Sequence, residues 1–418
     1  MKYIYLDNQS NTKLDKNVFD VMVPFFVDYY GNPQSIYSLG SISKDALDDA
    51  RSKVASFINA DINEIIFTSC ATESNNLLVK GIAESLKNKG KHIIVSAIEH
   101  FSILNPLKRL QNDGFEVTYL SVDAKGNVNA QELKKSLRKD TILVSIQHSN
   151  PEVGTIQNIK DLVAIVKNNK INDFVVFHTD AVSSCGFMPI DVKDLNVDAL
   201  TFSSSVMYGP KGAAALYVKK EVKIVPQIEG GVQENSKRSG TENIPAIVGF
   251  GKACQIAKEK LVSNVQKIKG LRDKLINELP KKIEYIYLNG AIGNRLPNNV
   301  NFSIEFVEGE ALFLLLDAIG IMAASGSACA NKNLKISHVL SAMKVDVAVG
   351  QGSIVFTLSK YNTQEDIDYV LEEFPKIVSR LREMSPLYSY FLQTGKRKKA
   401  GPGTDFDHEH DHCHINEE

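Results

Sequence analysis

The stretch that decides the reading is Asp198-Ala199-Leu200-Thr201-Phe202-Ser203-Ser204-Ser205-Val206-Met207-Tyr208-Gly209-Pro210-Lys211-Gly212. Its first five residues read as a short strand that delivers a serine-rich turn. Upstream, Phe174-Val175-Val176-Phe177-His178-Thr179-Asp180 reads as a buried strand ending on an acid. An acid and a serine turn at two successive strand ends belong at the carboxyl edge of an α/β sheet, where ligands bind.

Working outward, strand and helix patterns alternate. Strands are expected at 65–68, 92–96, 116–121, 141–147 and 173–178, and helices at 43–60, 72–89, 102–112, 130–138 and 159–168. In the first helix Ala46, Leu47, Ala50, Val54, Ala55 and Ile58 share one side. The alternation predicts a mostly parallel sheet with helices on both faces. The strand tips Ser69-Cys70-Ala71-Thr72, Glu99-His100, His148-Ser149-Asn150-Pro151 and Thr179-Asp180 should then share one crevice. A strand at 3–6 and a helix at 15–29 precede this region. Beyond Lys237-Arg238-Ser239-Gly240-Thr241, helices at 244–262 and 265–278 lead to strands near 283–288, 300–304 and 353–358 and helices at 308–316 and 364–384. These predict a smaller α+β domain. The expected division is 15–258 for the large domain, 1–14 with 259–394 for the small one, and 395–418 as a disordered tail. No internal repeat is visible.

A chain of 418 residues is too long for one small core. With 43% apolar and 23% charged residues it has ordinary globular composition, and a net charge of −1 argues against nucleic acid or a membrane surface as partner. Cys70, Cys185, Cys254, Cys329 and Cys413 are scattered without CxxC pairs, which predicts a reducing compartment. Met1 leads directly into a strand pattern without a signal peptide or Arg-rich presequence, so a cytoplasmic location is expected, with an organelle matrix as alternative. The apolar run 311–324 is interrupted by Asp317 and too short to span a bilayer.

Several residues have both a chemical and a structural reading. Ala71 and Thr72 open a helix whose free amides suit a phosphate, although Thr72 also suits an ordinary helix cap. His100 follows a strand and can stack on a planar ligand or simply pack in the crevice. Asp180 can hold a ligand or cap its own turn. Cys329 lies in the small-residue loop Ala324-Ser325-Gly326-Ser327-Ala328-Cys329-Ala330, with Lys332 and Lys335 near enough in sequence to lower its pKa. In the tail, His408, His410, His412 and His414 alternate with Asp407, Glu409, Asp411 and Cys413. That pattern fits a solvated end or weak transition-metal binding.

Taken together, these stretches resemble the cysteine desulfurases, pyridoxal-phosphate (PLP) enzymes of the class-V aminotransferase fold that take sulfur from cysteine for iron–sulfur assembly. The resemblance runs from about Tyr3 to Tyr390 and rests on Tyr5-Leu6-Asp7, Gly31-Asn32-Pro33, Ala71-Thr72-Glu73-Ser74, Glu99-His100, His178-Thr179-Asp180-Ala181, Tyr208-Gly209-Pro210-Lys211-Gly212, Arg238-Ser239-Gly240-Thr241 and Gly326-Ser327-Ala328-Cys329. It implies a fold-type-I large domain with PLP as cofactor. Ala71, Thr72, Ser203 and Ser205 would then line the phosphate, and Thr241 would reach it from a partner subunit. His100 would stack on the ring, Asp180 would hold its nitrogen, and Cys329 would carry persulfide. No metal ligands are implied.

The departures fall on the same site. The family's Schiff-base Lys aligns with Val206 and the preceding His with Ser205. Its ring-contacting Asn and Gln align with Pro151 and Ser183, its substrate-clamping Arg with Val355, and its phosphate-turn Gly with Cys70. Valine has no lone pair with which to hold an aldehyde or move a proton. A charge-assisted hydrogen bond contributes about 1.5–3 kcal/mol, so loss of the Arg weakens cysteine binding roughly ten- to a hundredfold. A single loss can be offset by a neighbour such as Lys211, but Lys, His, Asn, Gln and Arg all lost from one pocket point to relaxed catalytic demand. The expectation is a desulfurase-like pseudoenzyme, homodimeric or paired with an active paralogue, that serves iron–sulfur assembly as scaffold, regulator or sulfur relay. The alternatives are an active desulfurase using PLP without a covalent anchor, and a repurposed binder of another ligand or of a metal on the tail.

Overall fold

The computed structural model describes residues 3–169, 171–324 and 336–397. In chain order the elements are β1 (Ile4–Tyr5), α1 (Lys16–Met22), α2 (Pro24–Val27), α3 (Ser38–Phe57), β2 (Ile65–Thr68), α4 (Ala71–Leu86), β3 (His92–Ser96), α5 (Phe101–Asn112), β4 (Glu116–Leu120), α6 (Ala130–Ser136) and β5 (Thr141–Ser145). Then come α7 (Ile159–Lys167), β6 (Val176–Asp180), α8 (Val192–Leu195), β7 (Ala199–Ser203), β8 (Ala214–Val218) and α9 (Ile244–Lys282). The remainder is β9 (Ile286–Leu288), β10 (Asn299–Ile304), α10 (Gly309–Ala318), β11 (Ile321–Met322), α11 (His338–Ala342), α12 (Val347–Gly350), β12 (Ser353–Thr357), α13 (Gln364–Glu383) and α14 (Pro386–Thr394).

Seven strands form the large sheet in the order β2-β8-β7-β6-β5-β3-β4. Only β8 runs antiparallel to its neighbours. Two antiparallel pairings in succession turn β2 back into line with the rest, so Thr68, Ser96, Ser145, Asp180 and Ser203 all end at one edge. Strands β3 and β5 to β8 are buried along their whole length. Their continuous apolar runs are what a sheet covered on both faces requires. His178 is part of this interior: its ring bridges Ser145 (2.9 Å) and Thr201 (3.1 Å), and burial lowers its pKa to about 3.

The second core surrounds the antiparallel sheet β12-β10-β9 and includes Leu6, Phe302, Ile354, Phe356, Val370 and Phe374. Helix α9 belongs to both cores. Ile247, Phe250 and Cys254 face the first, whereas Ile268, Leu271, Leu275 and Leu279 face the second.

Several expectations need correction. The helices at 244–262 and 265–278 are one unbroken helix: no Gly or Pro separates them, and packing on both flanks outweighs the modest propensity cost of Ser263 and Asn264. Residue 258, where the large domain was expected to end, lies within this helix as it did within the expected one at 244–262. The helix at 15–29 is interrupted at Val23, since Pro24 cannot donate and instead opens α2. Strand β8 was not anticipated. The helix after β2 is capped by Cys70, which makes no side-chain capping bond, so Thr72 is not its cap.

Candidate active site

The carboxyl edge of the large sheet gathers the residues singled out above. Asp180 terminates β6 with one carboxylate oxygen accepting from Val182 N (2.9 Å) and the other from Asn75 Nδ2 (2.8 Å). The turn-capping and ligand-holding readings of this acid are thus compatible. Burial raises the Asp180 pKa, opposed by Asn75 and Val182. Asn75 Nδ2 also donates to Ser102 Oγ (2.8 Å), and Ser102 Oγ lies 2.8 Å from His100 Nδ1. His100 is the N-cap of α5, its Nδ1 accepting from Ser102 N (3.1 Å). Because Nδ1 accepts, the neutral imidazole carries its proton on Nε2. The His100 side chain is exposed at the crevice mouth.

Beneath His100, Glu99 is fully buried. One of its oxygens accepts from Gln147 N (2.8 Å), the next residue His148 donates its N–H to Asp180 O (2.8 Å), and the second Glu99 oxygen has no partner. Burial, reinforced by Asp180, pushes the Glu99 pKa well up. Glu152, behind the 148–151 turn, is raised by burial to about 7 although Ser337 Oγ donates to it at 2.6 Å. His338, next to Ser337, bonds Glu99 O at 2.9 Å and packs on Phe101, so α11 is docked on the same rim.

Ala71 and Thr72 form the first turn of α4, a helix of 16 residues with its leading amides uncapped by Cys70. Those amides and the positive end of the helix dipole are suited to an anion. Cys70 has φ −164°, an extended conformation any residue adopts, so its side chain is tolerated and exposed. Glu73 accepts from Ser69 N (2.8 Å) and from Arg238 Nε (2.7 Å). Burial alone would raise its pKa, yet Arg238 and Ser69 hold it below the ordinary value. That ion pair ties the 237–241 loop to the start of α4, with Thr241 exposed on the loop.

Ser203 and Ser205 lie at the end of β7, their hydroxyls 3.1 Å apart. Val206 follows within a 3-10 turn and is 3% exposed, in one hydrophobic cluster with Phe202, Met207, Cys185 and Phe250. Gly209 completes the turn; a Cβ there would stand 2.0 Å from Ser204 Oγ. Lys211 is exposed, whereas Lys360 is bound to Asp15 between the rings of Tyr208 and Tyr361. Lys360 is therefore committed to Asp15 and the two rings.

Residues 8–12 lace this floor to the second core. Gln9 N donates to Thr357 Oγ1 and Gln9 Nε2 to Ser183 Oγ, each at 2.9 Å. Thr12 donates through both N and Oγ1 to Ser205 O, and Tyr208 N donates to Thr12 Oγ1. Val355, two residues before Thr357, is buried in β12 opposite Asn301 and bonded through its backbone to Ala324. Pro151 lends its carbonyl to Asn299 Nδ2 (3.0 Å). Cys329, Lys332, Lys335 and the histidine tail lie outside the described residues. Among the described residues no cluster of His, Cys, Asp and Glu is suited to a metal, and no helix is long and apolar enough to cross a membrane.

Asn75, Ser102 and Gln9 were missed from the sequence. Asn75 had a usable signal: it shares the apolar side of α4 with Leu78, Val79 and Ile82, where a polar residue needs a partner. Gln9 had none, because its partner lies 174 residues away.

An acid at the end of a central strand, a serine turn on the neighbouring strand and an uncapped helix on the same edge define a PLP-dependent transferase fold. The aminotransferase class-V family matches residues 4–370. Cysteine desulfurase IscS of Dictyoglomus turgidum is 48% identical over 383 residues, covering 92% of this chain and 96% of the relative. Cysteine desulfurase IscS of Methanosarcina thermophila is 49% identical over 386 residues, covering 92% and 94%. A solved NifS-like protein superposes with a TM-score of 0.85 at 38% identity, covering 91% of this chain and all 100% of that one. The NifS-like protein from Rickettsia africae gives 0.81 at 33% identity, with 90% and 100% covered. The chain belongs to the class-V aminotransferase family and, within it, to the cysteine desulfurases. PLP is the cofactor of that family. The residues present fit its ring and phosphate ends, with a buried carboxylate, an exposed imidazole, two hydroxyls and a free helix start. Val206, on the same turn, offers only hydrocarbon.

Proposed function

We propose that this chain is a cysteine-desulfurase-like protein of sulfur transfer in iron–sulfur assembly, with Val206 at the anchoring position. It would hold PLP without a covalent bond and act as a scaffold, regulatory or sulfur-relay subunit. The kinship with cysteine desulfurases supports the pathway. The observation that carries the rest is Val206 itself, buried among hydrocarbon beside an otherwise polar crevice.

In this reading Asp180 accepts a hydrogen bond from the ring nitrogen, its orientation fixed by Asn75 and Val182. His100 covers the ring, positioned by Ser102. Ala71, Thr72, Ser203 and Ser205 receive the phosphate. Bound PLP supplies an electron sink for chemistry at a substrate α-carbon. This chain lacks the amine that would move the α-proton at Val206 and the cation that would clamp a carboxylate at Val355. Thr241 contributes across a subunit boundary, and Cys329 remains the sulfur-accepting thiol. A partner surface is available on the N-terminal helices and following loop, where Phe26, Tyr30 and Ile36 are 60%, 72% and 102% exposed. A second copy of the chain or an active paralogue fits it. A cytoplasmic or organelle-matrix location accords with this role.

The test combines the purified full chain with PLP and cysteine, then treats a parallel sample with borohydride. No coenzyme fixed to protein and no sulfide above that from free PLP are expected. Fixed coenzyme would overturn the reading. Sulfide that falls on Cys329→Ala would instead establish an active desulfurase with unanchored coenzyme.

A further inference from the structure

Resting on that reading of the crevice, we infer that it binds pyridoxine 5′-phosphate as tightly as pyridoxal 5′-phosphate, selecting ring and phosphate while ignoring the aldehyde. The two compounds differ only at the 4-position, a hydroxymethyl group in one and an aldehyde in the other. The polar groups assigned above to the coenzyme address parts that both compounds share. Asp180, fixed by Asn75 and Val182, matches the ring nitrogen. His100 offers a ring face, while the start of α4 and the paired hydroxyls of Ser203 and Ser205 match the phosphate.

An aldehyde outcompetes an alcohol when a nucleophile captures it, because a covalent bond then adds to the shared contacts. The turn beside Ser205 offers the side chain of Val206, which has no nucleophile. Lys360 is committed to Asp15, and Lys211 is exposed to solvent. The nearby polar group on the 181–186 turn is Ser183, already joined to the amide of Gln9 at 2.9 Å. That pair is neutral and contains both donors and acceptors, so it serves a hydroxyl as readily as a carbonyl.

Calorimetric titration of the full chain with each phosphate ester tests this. Dissociation constants within about fivefold of each other are expected. Pyridoxal phosphate binding more than about fivefold tighter overturns the inference and leaves the coenzyme reading standing. Binding of neither ester overturns both. Val206→Lys should tighten pyridoxal phosphate by about tenfold or more and leave pyridoxine phosphate unchanged. Should that variant fail to fold, Ser203→Ala and Ser205→Ala each weaken both esters by one common factor; unequal factors sink the inference.

Discussion

At the carboxyl edge of the large sheet, Asp180, Asn75, Ser102 and His100 form a continuous hydrogen-bonded chain; Val206, on the turn after β7, belongs instead to the hydrophobic core that includes Phe202, Met207 and Phe250. The two regions respond to opposite physical pressures. Removing a member of a buried polar chain leaves its partners unsatisfied, at a cost of about 1–3 kcal/mol, so folding alone preserves it. A lysine in an apolar floor is a burden to folding, since its charge must be desolvated or its proton given up. At such a buried position valine is the more stable occupant, and under the proposed function the polar chain would persist on folding grounds alone.

The strongest way to break the contrast is Asp180→Ala. It should lower coenzyme affinity roughly a hundredfold, by removing a charge-assisted bond in a buried site. Calorimetry reads the affinity; an unchanged value would make the acid purely structural. Next in size is Glu152→Gln, which tests a polar group the fold holds against its own preference. Burial raises this carboxyl from 4.5 to about 7, so the folded state keeps a proton that the unfolded chain has released. Its stabilising effect is complete below 4.5 and is lost as pH rises to about 7. The full span is worth roughly 3 kcal/mol. Denaturant melts at pH 5 and pH 8 should show this decline in the parent chain and not in the glutamine variant.

Val206→Ala sharpens the comparison from the other side. It should cost about 2 kcal/mol through the cavity it leaves and not alter coenzyme affinity. A loss of affinity would mean that Val206 touches the ligand. The smallest effect is expected for Ser102→Ala, about 1 kcal/mol: the hydroxyl between Asn75 and His100 is lost and the ring shifts, while the backbone N–H at position 102 still donates to Nδ1. Chemical-shift mapping of the imidazole checks that movement.

The sequence made the sheet legible because its interior strands are continuous apolar runs bounded by polar tips. The acid at the end of β6 and the serines at the end of β7 could be placed together by topology alone. What stayed hidden depends on distant partners. Strand β8 carries Ala214 and Ala215 and looks weak in isolation, but it is buried between two antiparallel neighbours. The joining of α9 across Ser263 and Asn264 is decided by packing on both flanks, which local propensity does not report. Gln9 reaches Ser183 only because residues 8–12 cross from one core to the other.

Helix α9, at 39 residues, is a rod of roughly 58 Å whose two ends are walls of different rooms. The two rooms are joined through it: a cut near 258–265 separates the face that packs in one core from the face that packs in the other. A fragment ending there would carry Ile247 and Phe250 on a frayed stub, and its counterpart would keep Leu275 and Leu279 on a shortened helix. Heat should therefore melt the folded body in a single step, and a protease that nicks the rod should dissolve both halves together.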